Sequence, residues 1–407
     1  MESTHLSQEP KMQTNIHDCL WSVKHEGCAS EGRQDACPSG VFRTYFSDML
    51  SHREDKDQRL MVEIDGSYLE GGGAILRVAA GLSAVTGRPL RVSHIRAGRK
   101  NPGLRVQHLE GLKAIAALCS GRLVNARIRS TEIELHPGAI EAKELQVTIS
   151  TAGSIGLLFQ SLKLPICMAA GDVIVTVNGG ATFAKWAPPV PYIQNVLLPV
   201  LGQMGYSAEI EIQRHGFYPI GGAETKIVAH PCRNLQPLSL TDVGVLKDIR
   251  GMSIASEHLQ KPKVAERQAE AAMKLLRVKG LKATIESQYV DAACPGSGIV
   301  LWVHTSTGTV LGFDALGERG KPSELVGEEA ARGLINAIES GAAVDNHLSD
   351  MLLIFIALAR GKSAILCPKL TDHAKTNMYV IEKFLPVKFQ IAEDRNTLIE
   401  CSGSPPV

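Results

Sequence analysis

The histidine best placed to do chemistry is His373, in the run Leu370-Thr371-Asp372-His373-Ala374-Lys375-Thr376-Asn377. The run lies between an expected strand and an expected helix, and Thr371 or Asp372 could cap that helix. An imidazole there sits in the positive field of the helix end. A neutral imidazole is a nucleophile, and the same field would stabilise an anionic phosphoryl group attached to it. A second candidate is Glu70-Gly71-Gly72-Gly73, a glycine turn joining a strand to a helix N-terminus. Glycines let backbone N–H groups approach a phosphate. The turn is neither a Walker A loop, since no Gly-Lys-Ser/Thr follows, nor GxGxxG, since Leu76 takes the third glycine position. Glu70 beside such a cradle is well placed to hold Mg²⁺. A third feature is a basic loop, Arg96, Arg99, Lys100 and Arg105, with Gln107 and His108 at the next helix start. It could grip phosphates. No Ser–His–Asp order, HExxH helix or Cys/His cluster stands out in the body of the chain.

The elements that must position these residues repeat. Met61–Asp65 reads as a strand, Ala74–Val85 as an apolar helix, Leu90–Ile95 as a strand and residues 107–118 as a helix. Strands follow near Leu123–Arg129 and Glu132–His136. The order β, α, β, α, β, β then recurs in part. Helix Ser154–Leu162, strand Asp172–Val177, helix Tyr192–Met204 and strands Ser207–Gln213 and Glu224–Ala229 form a second copy. Helix Ser349–Leu358, strand Ala364–Cys367, helix Lys375–Phe384 and strands Val387–Ala392 and Thr397–Cys401 form a third. One such unit cannot bury both faces of its helices, so three copies imply a pseudo-threefold body. The expected class is α/β (α+β), with a large domain over 61–237 and 341–407. Residues 238–340 break the pattern with strands at 246–254, 282–288, 298–305 and 310–316 and helices at 262–278 and 326–339. They read as an inserted smaller α/β domain.

Composition sets limits. Lys+Arg 43 against Asp+Glu 42 leaves a net charge of +1, so any RNA-binding surface must be local. Aromatics at 5% weaken a reading built on long base-stacking platforms. The longest apolar run, Met351 to Ala359, is about half of a spanning helix, and the N-terminus has no apolar signal-peptide core. Nine dispersed cysteines without a CxxC suggest free thiols in a reducing compartment. Residues 1–60 are polar and aperiodic and read as a flexible extension. Its His17, Cys19, His25, Cys28 and Cys37 fit no closed zinc site by spacing.

Several segments together resemble the RNA 3′-terminal phosphate cyclase family. They are Asp65-Gly66 to Gly73, Ile95-Arg96-Ala97-Gly98-Arg99, Pro102-Gly103-Leu104, Gln107-His108-Leu109 and Thr151-Ala152-Gly153-Ser154. Ala187-Pro188-Pro189, His215-Gly216-Phe217-Tyr218-Pro219 with Gly221-Gly222, Val264-Ala265-Glu266, and His373 with Thr376-Asn377 follow in the family's order. The resemblance spans residues 61–402. It implies three βαβαββ-like units with an inserted smaller domain, and ATP-dependent conversion of an RNA 3′-phosphate into a 2′,3′-cyclic phosphodiester. His373 matches the histidine that attacks the α-phosphorus of ATP. Histidine–AMP then passes AMP to the RNA end, and the vicinal 2′-hydroxyl expels it. Glu70 matches a metal and nucleotide-site glutamate, Gln160 a nucleotide-binding glutamine, Pro188 a proline lining the adenine, and Asp350 the acid of a Tyr-x-x-Asp-Gln motif. Arg96, Arg99 and Arg105, with Gln107 and His108, match phosphate or RNA contacts. Mg²⁺ or another divalent cation is the implied metal, and RNA with a 3′-phosphate the implied partner. The resemblance also implies a divergent, eukaryotic member acting in the nucleus.

Three departures stand out. Ala74 replaces the glutamine after the glycine run. His347-Leu348-Ser349-Asp350-Met351 replaces Tyr-x-x-Asp-Gln, so His347 could stack on adenine while Met351 lacks an amide. Ala223 replaces a third glycine after Gly221-Gly222. They bear on ATP affinity, turnover and nucleotide preference. The competing expectation is a non-catalytic cyclase-like RNA-binding factor in ribosome assembly, whose kind lacks the histidine kept here as His373. An enolpyruvyl transferase would share repeated α/β units but not this motif set.

Overall fold

The computed structural model describes residues 61–404. The expected N-terminal extension, with its His17, Cys19, His25, Cys28 and Cys37, lies outside them. The chain folds as three copies of one unit. The first runs β1 (Val62–Asp65), α1 (Gly73–Thr86), β2 (Leu90–Ser93), α2 (Val106–Leu118), β3 (Arg122–Val124) and β4 (Ile133–His136). The second runs β5 (Glu144–Ser154), α3 (Ile155–Cys167), β6 (Val173–Ala181), α4, β7 (Ser207–Arg214) and β8 (Glu224–His230). Helix α4, over 190–203, is Val190–Tyr192, a π turn at Ile193–Leu197, and Leu198–Gln203. The third unit is β9 (Ser239–Leu240), α7 (Asn346–Ile356), β14 (Ser363–Cys367), α8 (Asp372–Phe384), β15 (Phe389–Glu393) and β16 (Thr397–Cys401).

The three sheets share one order: β1-β2-β4-β3, β5-β6-β8-β7 and β9-β14-β16-β15. In each, the first two strands are parallel and the rest antiparallel. The parallel pair needs a helical crossover, and α1, α3 and α7 supply it.

Two strands go beyond the sequence reading. In β5, Leu145, Val147 and Ile149 alternate with exposed residues. The two-residue β9 is too short to carry a period and was expected within the insert. It pairs instead with β14, through Ser239 to Ala364 and Leu240 to Ile365. The insertion therefore interrupts the third unit between its first strand and its first helix.

That insertion holds β10 (Leu246–Ser256), α5 (Val264–Val278), β11 (Ala283–Val290), β12 (Ser297–Thr305), β13 (Val310–Leu316) and α6 (Ser323–Ser340). Its sheet, β11-β10-β12-β13, is separate, and a core built around Ile249, Leu276, Leu301, Val303 and Leu334 lies between that sheet and α5 and α6.

Sequence explains which helices go inside. Helix α1 (Gly73-Ala74-Ile75-Leu76-Arg77-Val78-Ala79-Ala80) and α3 (Ile155-Gly156-Leu157-Leu158-Phe159-Gln160-Ser161-Leu162) are apolar around nearly their whole circumference. So is α7 after its first turn, from Met351 to Ile356. Helices of that kind are stable only when covered on all sides. Helix α1 packs on α2, α3 and α8, and α3 also packs on α2 and α7. The six cysteines among the described residues are free thiols. No helix among these residues is long and apolar enough to cross a membrane.

Candidate active site

Each central helix carries one charged side chain: Arg77 in α1, Lys163 in α3 and Asp350 in α7. All three line one cavity of about 390 Å³. His373, Gln160, Pro188, His347 and Met351 share its wall with Ala74, Asn377, Trp186, Asp314 and Leu316. The cavity therefore gathers, from three helices and a loop, the residues expected from sequence to serve the histidine and the nucleotide, except Glu70, which is not among its lining residues.

His373 stands in the first turn of α8, half exposed, with Thr371 as the N-cap. The Thr371 hydroxyl accepts a hydrogen bond from the Ala374 N–H at 2.9 Å and donates to Asp350 Oδ1 at 2.6 Å. Asn377, one turn along α8, donates to the Asp350 carbonyl at 2.9 Å. These bonds fix the start of α8 against α7. Burial pushes the Asp350 carboxyl up to about 6, against the Thr371 bond and the charges of His373 and His347.

Glu70 faces the same histidine, with Oε2 at 3.7 Å from His373 Nδ1. The turn that carries it is tight. Gly71 has φ +57°, a conformation glycine adopts at no steric cost. A Cβ at Gly72 would overlap the Glu70 carboxylate, and one at Gly73 would overlap the His108 ring. The Gly72 N–H donates to Glu70 Oε2 at 3.1 Å, and Arg99 bonds both Glu70 Oε1 and, at 2.9 Å, the Glu70 carbonyl. Tyr68 stacks on Tyr379 of α8 with ring centroids 4.1 Å apart, tying this turn to the helix of His373.

The basic loop between β2 and α2 divides by role. Arg99 reaches Glu70. Arg105 is exposed at the start of α2, and Gln107 lies beside Gly153. Arg96 folds back to donate to the carbonyls of Asn101 and Gly103, at 2.7 and 3.0 Å. His108 departs from expectation. It is buried, and its Nδ1 accepts the Arg105 N–H at 3.3 Å. Burial, with Arg77, Arg96 and Arg105 nearby, pushes its pKa down to about 3. The imidazole is neutral and adds no positive charge toward a phosphate.

Sequence reasoning missed Arg77, Lys163, Asp314 and Trp186. The signal for the first two was a lone charge in an otherwise apolar helix. Burial lowers Arg77 to about 10, with Glu70 opposing, and among the described residues no hydrogen bond holds its guanidinium. Lys163 donates to the Met351 carbonyl at 2.7 Å, and burial beside Arg77 lowers it to about 7. Gln160 donates to the Met351 sulfur at 3.5 Å, so the thioether at this position receives the amide. His347 meets Tyr192 edge-on at 6.4 Å.

Nothing in this donor set resembles a resident metal centre: among the described residues, no three His, Cys, Asp or Glu side chains converge. Glu70 and Asp350 flank His373. One or two carboxylates are what Mg²⁺ uses when phosphate oxygens supply the rest of its shell. The site fits a cation that arrives with a triphosphate, held at Glu70.

Comparison with known proteins fits this geometry. Residues 68–391 match the family model of the RNA 3′-terminal phosphate cyclase. The chain belongs to that family. An RNA 3′-terminal phosphate cyclase of Methanopyrus kandleri is 44% identical over 339 residues, covering 81% of this chain and 95% of the relative. The cyclase of Pyrobaculum aerophilum is 43% identical over 335 residues, covering 82% and 95%. That of Archaeoglobus fulgidus is 42% identical over 334 residues, covering 81% and 98%. These cyclases are archaeal and give no support to the eukaryotic origin expected above. The matched range takes in the whole cavity wall, from Ala74 to Asn377.

Proposed function

We propose that the protein uses ATP to convert an RNA 3′-terminal phosphate into a 2′,3′-cyclic phosphodiester, through an adenylate on His373. The observation that carries this reading is the placement of the His373 imidazole. It sits in the first turn of α8, at the mouth of a cavity lined by Arg77, whose guanidinium has no hydrogen-bond partner among the described residues. With Nδ1 turned to Glu70, Nε2 is the nitrogen free to attack. It forms a bond to the α-phosphorus of ATP, and the bond to the pyrophosphate oxygen breaks. Arg77 and the helix end offset the negative charge that builds on the phosphoryl oxygens. Mg²⁺ held at Glu70 with the triphosphate would neutralise the departing pyrophosphate. An oxygen of the RNA 3′-phosphate then attacks the adenylate, breaking the N–P bond and restoring His373. Finally the 2′-hydroxyl attacks the activated 3′-phosphorus and AMP leaves. The last step is intramolecular and needs little further positioning. Dividing the process replaces a poor leaving group with a good one.

The test is product formation on an oligoribonucleotide with a labelled 3′-phosphate. With ATP, the wild type is expected to make the label phosphatase-resistant, whereas His373→Ala leaves it removable. Label that stays removable with the wild-type protein would contradict cyclisation and favour a fold kept for RNA binding.

A further inference from the structure

The cavity has two ends. At one, His373 faces Glu70. At the other, the insertion closes the wall with Asp314 and Leu316 of β13. Asp350 lies within electrostatic reach of both His373 and His347. Asp314 lies within reach of His347, Asp345 and Glu329. His347 is thus within reach of both carboxyls, whereas His373 acts on Asp350 alone of the two. A nucleotide bonded to His373 through its α-phosphate and laid along this cavity brings its base to Pro188, Leu316, His347 and Asp314.

Asp314 differs from the other acids of the site. Glu70 receives Arg99 and the Gly72 N–H. Asp350 receives Thr371. Asp345 receives the Tyr192 hydroxyl at 2.7 Å, the Leu348 N–H at 2.9 Å and the Gly312 N–H at 3.1 Å. No hydrogen bond among the described residues holds the Asp314 carboxyl. Asp314 is half-buried in the cavity wall, and its carboxyl edge is left free for a ligand.

We propose that Asp314 reads the hydrogen-bonding edge of the nucleotide base and sets the choice between adenine and guanine. The proposal rests on the nucleotidyl-transfer reading of His373. A neutral carboxyl offers one donor and one acceptor, which complement adenine N1 and its N6 amino group. An ionised carboxyl offers two acceptors, which complement guanine N1–H and its N2 amino group. Burial raises the Asp314 pKa to about 7, with Asp345 of the loop before α7 and Glu329 of α6 adding to the rise and His347 of α7 opposing it. Adenine is therefore favoured on the acid side of neutrality, and guanine gains as the carboxyl ionises.

The experiment compares ATP with GTP, from about pH 6 to about pH 8.5, in wild type, Asp314→Asn and Asp314→Ala. Two quantities are read: label transferred to the protein from the α-labelled nucleotides, and nucleotide affinity by calorimetry. The ATP-to-GTP ratio cancels the ionisation shared by the two triphosphates. A mismatched pair of base contacts is worth about tenfold. In the wild type the ratio is expected to fall with rising pH. Asp314→Asn, which fixes one donor and one acceptor, is expected to hold the ratio high and flat. Asp314→Ala is expected to lower it about tenfold on the acid side of neutrality and to abolish its change with pH. A ratio unchanged in both variants, with label still forming, would overturn the role of Asp314 alone. An absence of label from the wild type, with the affinity ratios behaving as expected, would overturn the reading of His373 and leave that of Asp314 standing.

Discussion

At the scale of single residues, the site is built from charges held where apolar helices would otherwise exclude them. Lys163 shows the consequence. Its pKa is lowered to about 7, chiefly by burial, whereas the unfolded chain keeps it at an ordinary lysine value. Between those values the unfolded state binds the extra proton, so stability rises with pH from about 7 to about 10.4, by up to about 1.4 kcal/mol per pH unit. Lys163→Met is expected to flatten that rise in denaturant titrations across the window and to raise stability at neutral pH. An unchanged slope would mean that Lys163 titrates as an exposed lysine does. Arg77→Lys keeps the charge but loses the planar fork. It is expected to slow transfer from ATP by about tenfold or more while leaving the fold intact, as read by single-turnover labelling. The residues legible in the sequence, His373, Glu70, Arg99 and Gln107, sit in short runs whose spacing is itself informative. Arg77 and Lys163 were legible only as exceptions to an apolar pattern. Asp314 gave no signal, because an insertion strand brings it to the cavity from far along the chain.

At the scale of elements, two nodes hold the site together. Thr371 caps α8 and bonds Asp350 with one hydroxyl. Thr371→Val removes both bonds. It is expected to cost about 1–2 kcal/mol in a denaturant melt and to lower the labelling rate, because the turn bearing His373 loses its tie to α7. A melt unchanged within error would show that the cap is dispensable. The second node is Asp345, which joins α4 through Tyr192, α7 as its N-cap, and β13 through Gly312. Tyr192→Phe leaves that buried carboxylate short of a donor. The expected loss is about 1–3 kcal/mol, seen as a lower midpoint at constant m-value. Helices and hairpins were legible wherever their period ran for several turns, as in α5 and α6. The two strands missed were β5, whose alternation breaks at a register shift between Ile149 and Ser154, and β9, whose two residues have no period at all.

At the scale of the whole molecule, a near-neutral chain gathers five exposed basic residues on one pair of loops. The loop from Ile95 to Leu104 is joined to the one from Arg129 to Thr131 through backbone bonds. These run from Ile95 N–H to the Thr131 carbonyl at 2.9 Å, Leu104 N–H to the Ser130 carbonyl at 3.0 Å and Arg129 N–H to the Leu104 carbonyl at 2.9 Å. Exposed Arg99, Lys100, Arg105, Arg127 and Arg129 thereby share one surface beside Glu70. Single-stranded RNA bound there is expected to weaken with salt, with a slope of about −0.7 for each phosphate neutralised. Arg127→Ala combined with Arg129→Ala is expected to reduce the slope by about 1–1.5 in filter-binding titrations. An unchanged slope would place the RNA elsewhere. The threefold repeat was legible because each copy repeats its order of elements. The meeting of its three central helices at one cavity was not, because that is set by packing.

The most direct test of the account is whether His373 becomes nucleotidylated. The protein is incubated with α-labelled ATP and Mg²⁺, denatured, and examined for acid-labile, hydroxylamine-sensitive label, with His373→Ala alongside. Label is expected on the wild type, with none on the variant, and is expected to leave as AMP when RNA with a 3′-phosphate is added. Label that persists in His373→Ala, or a folded wild type that takes none, would contradict it.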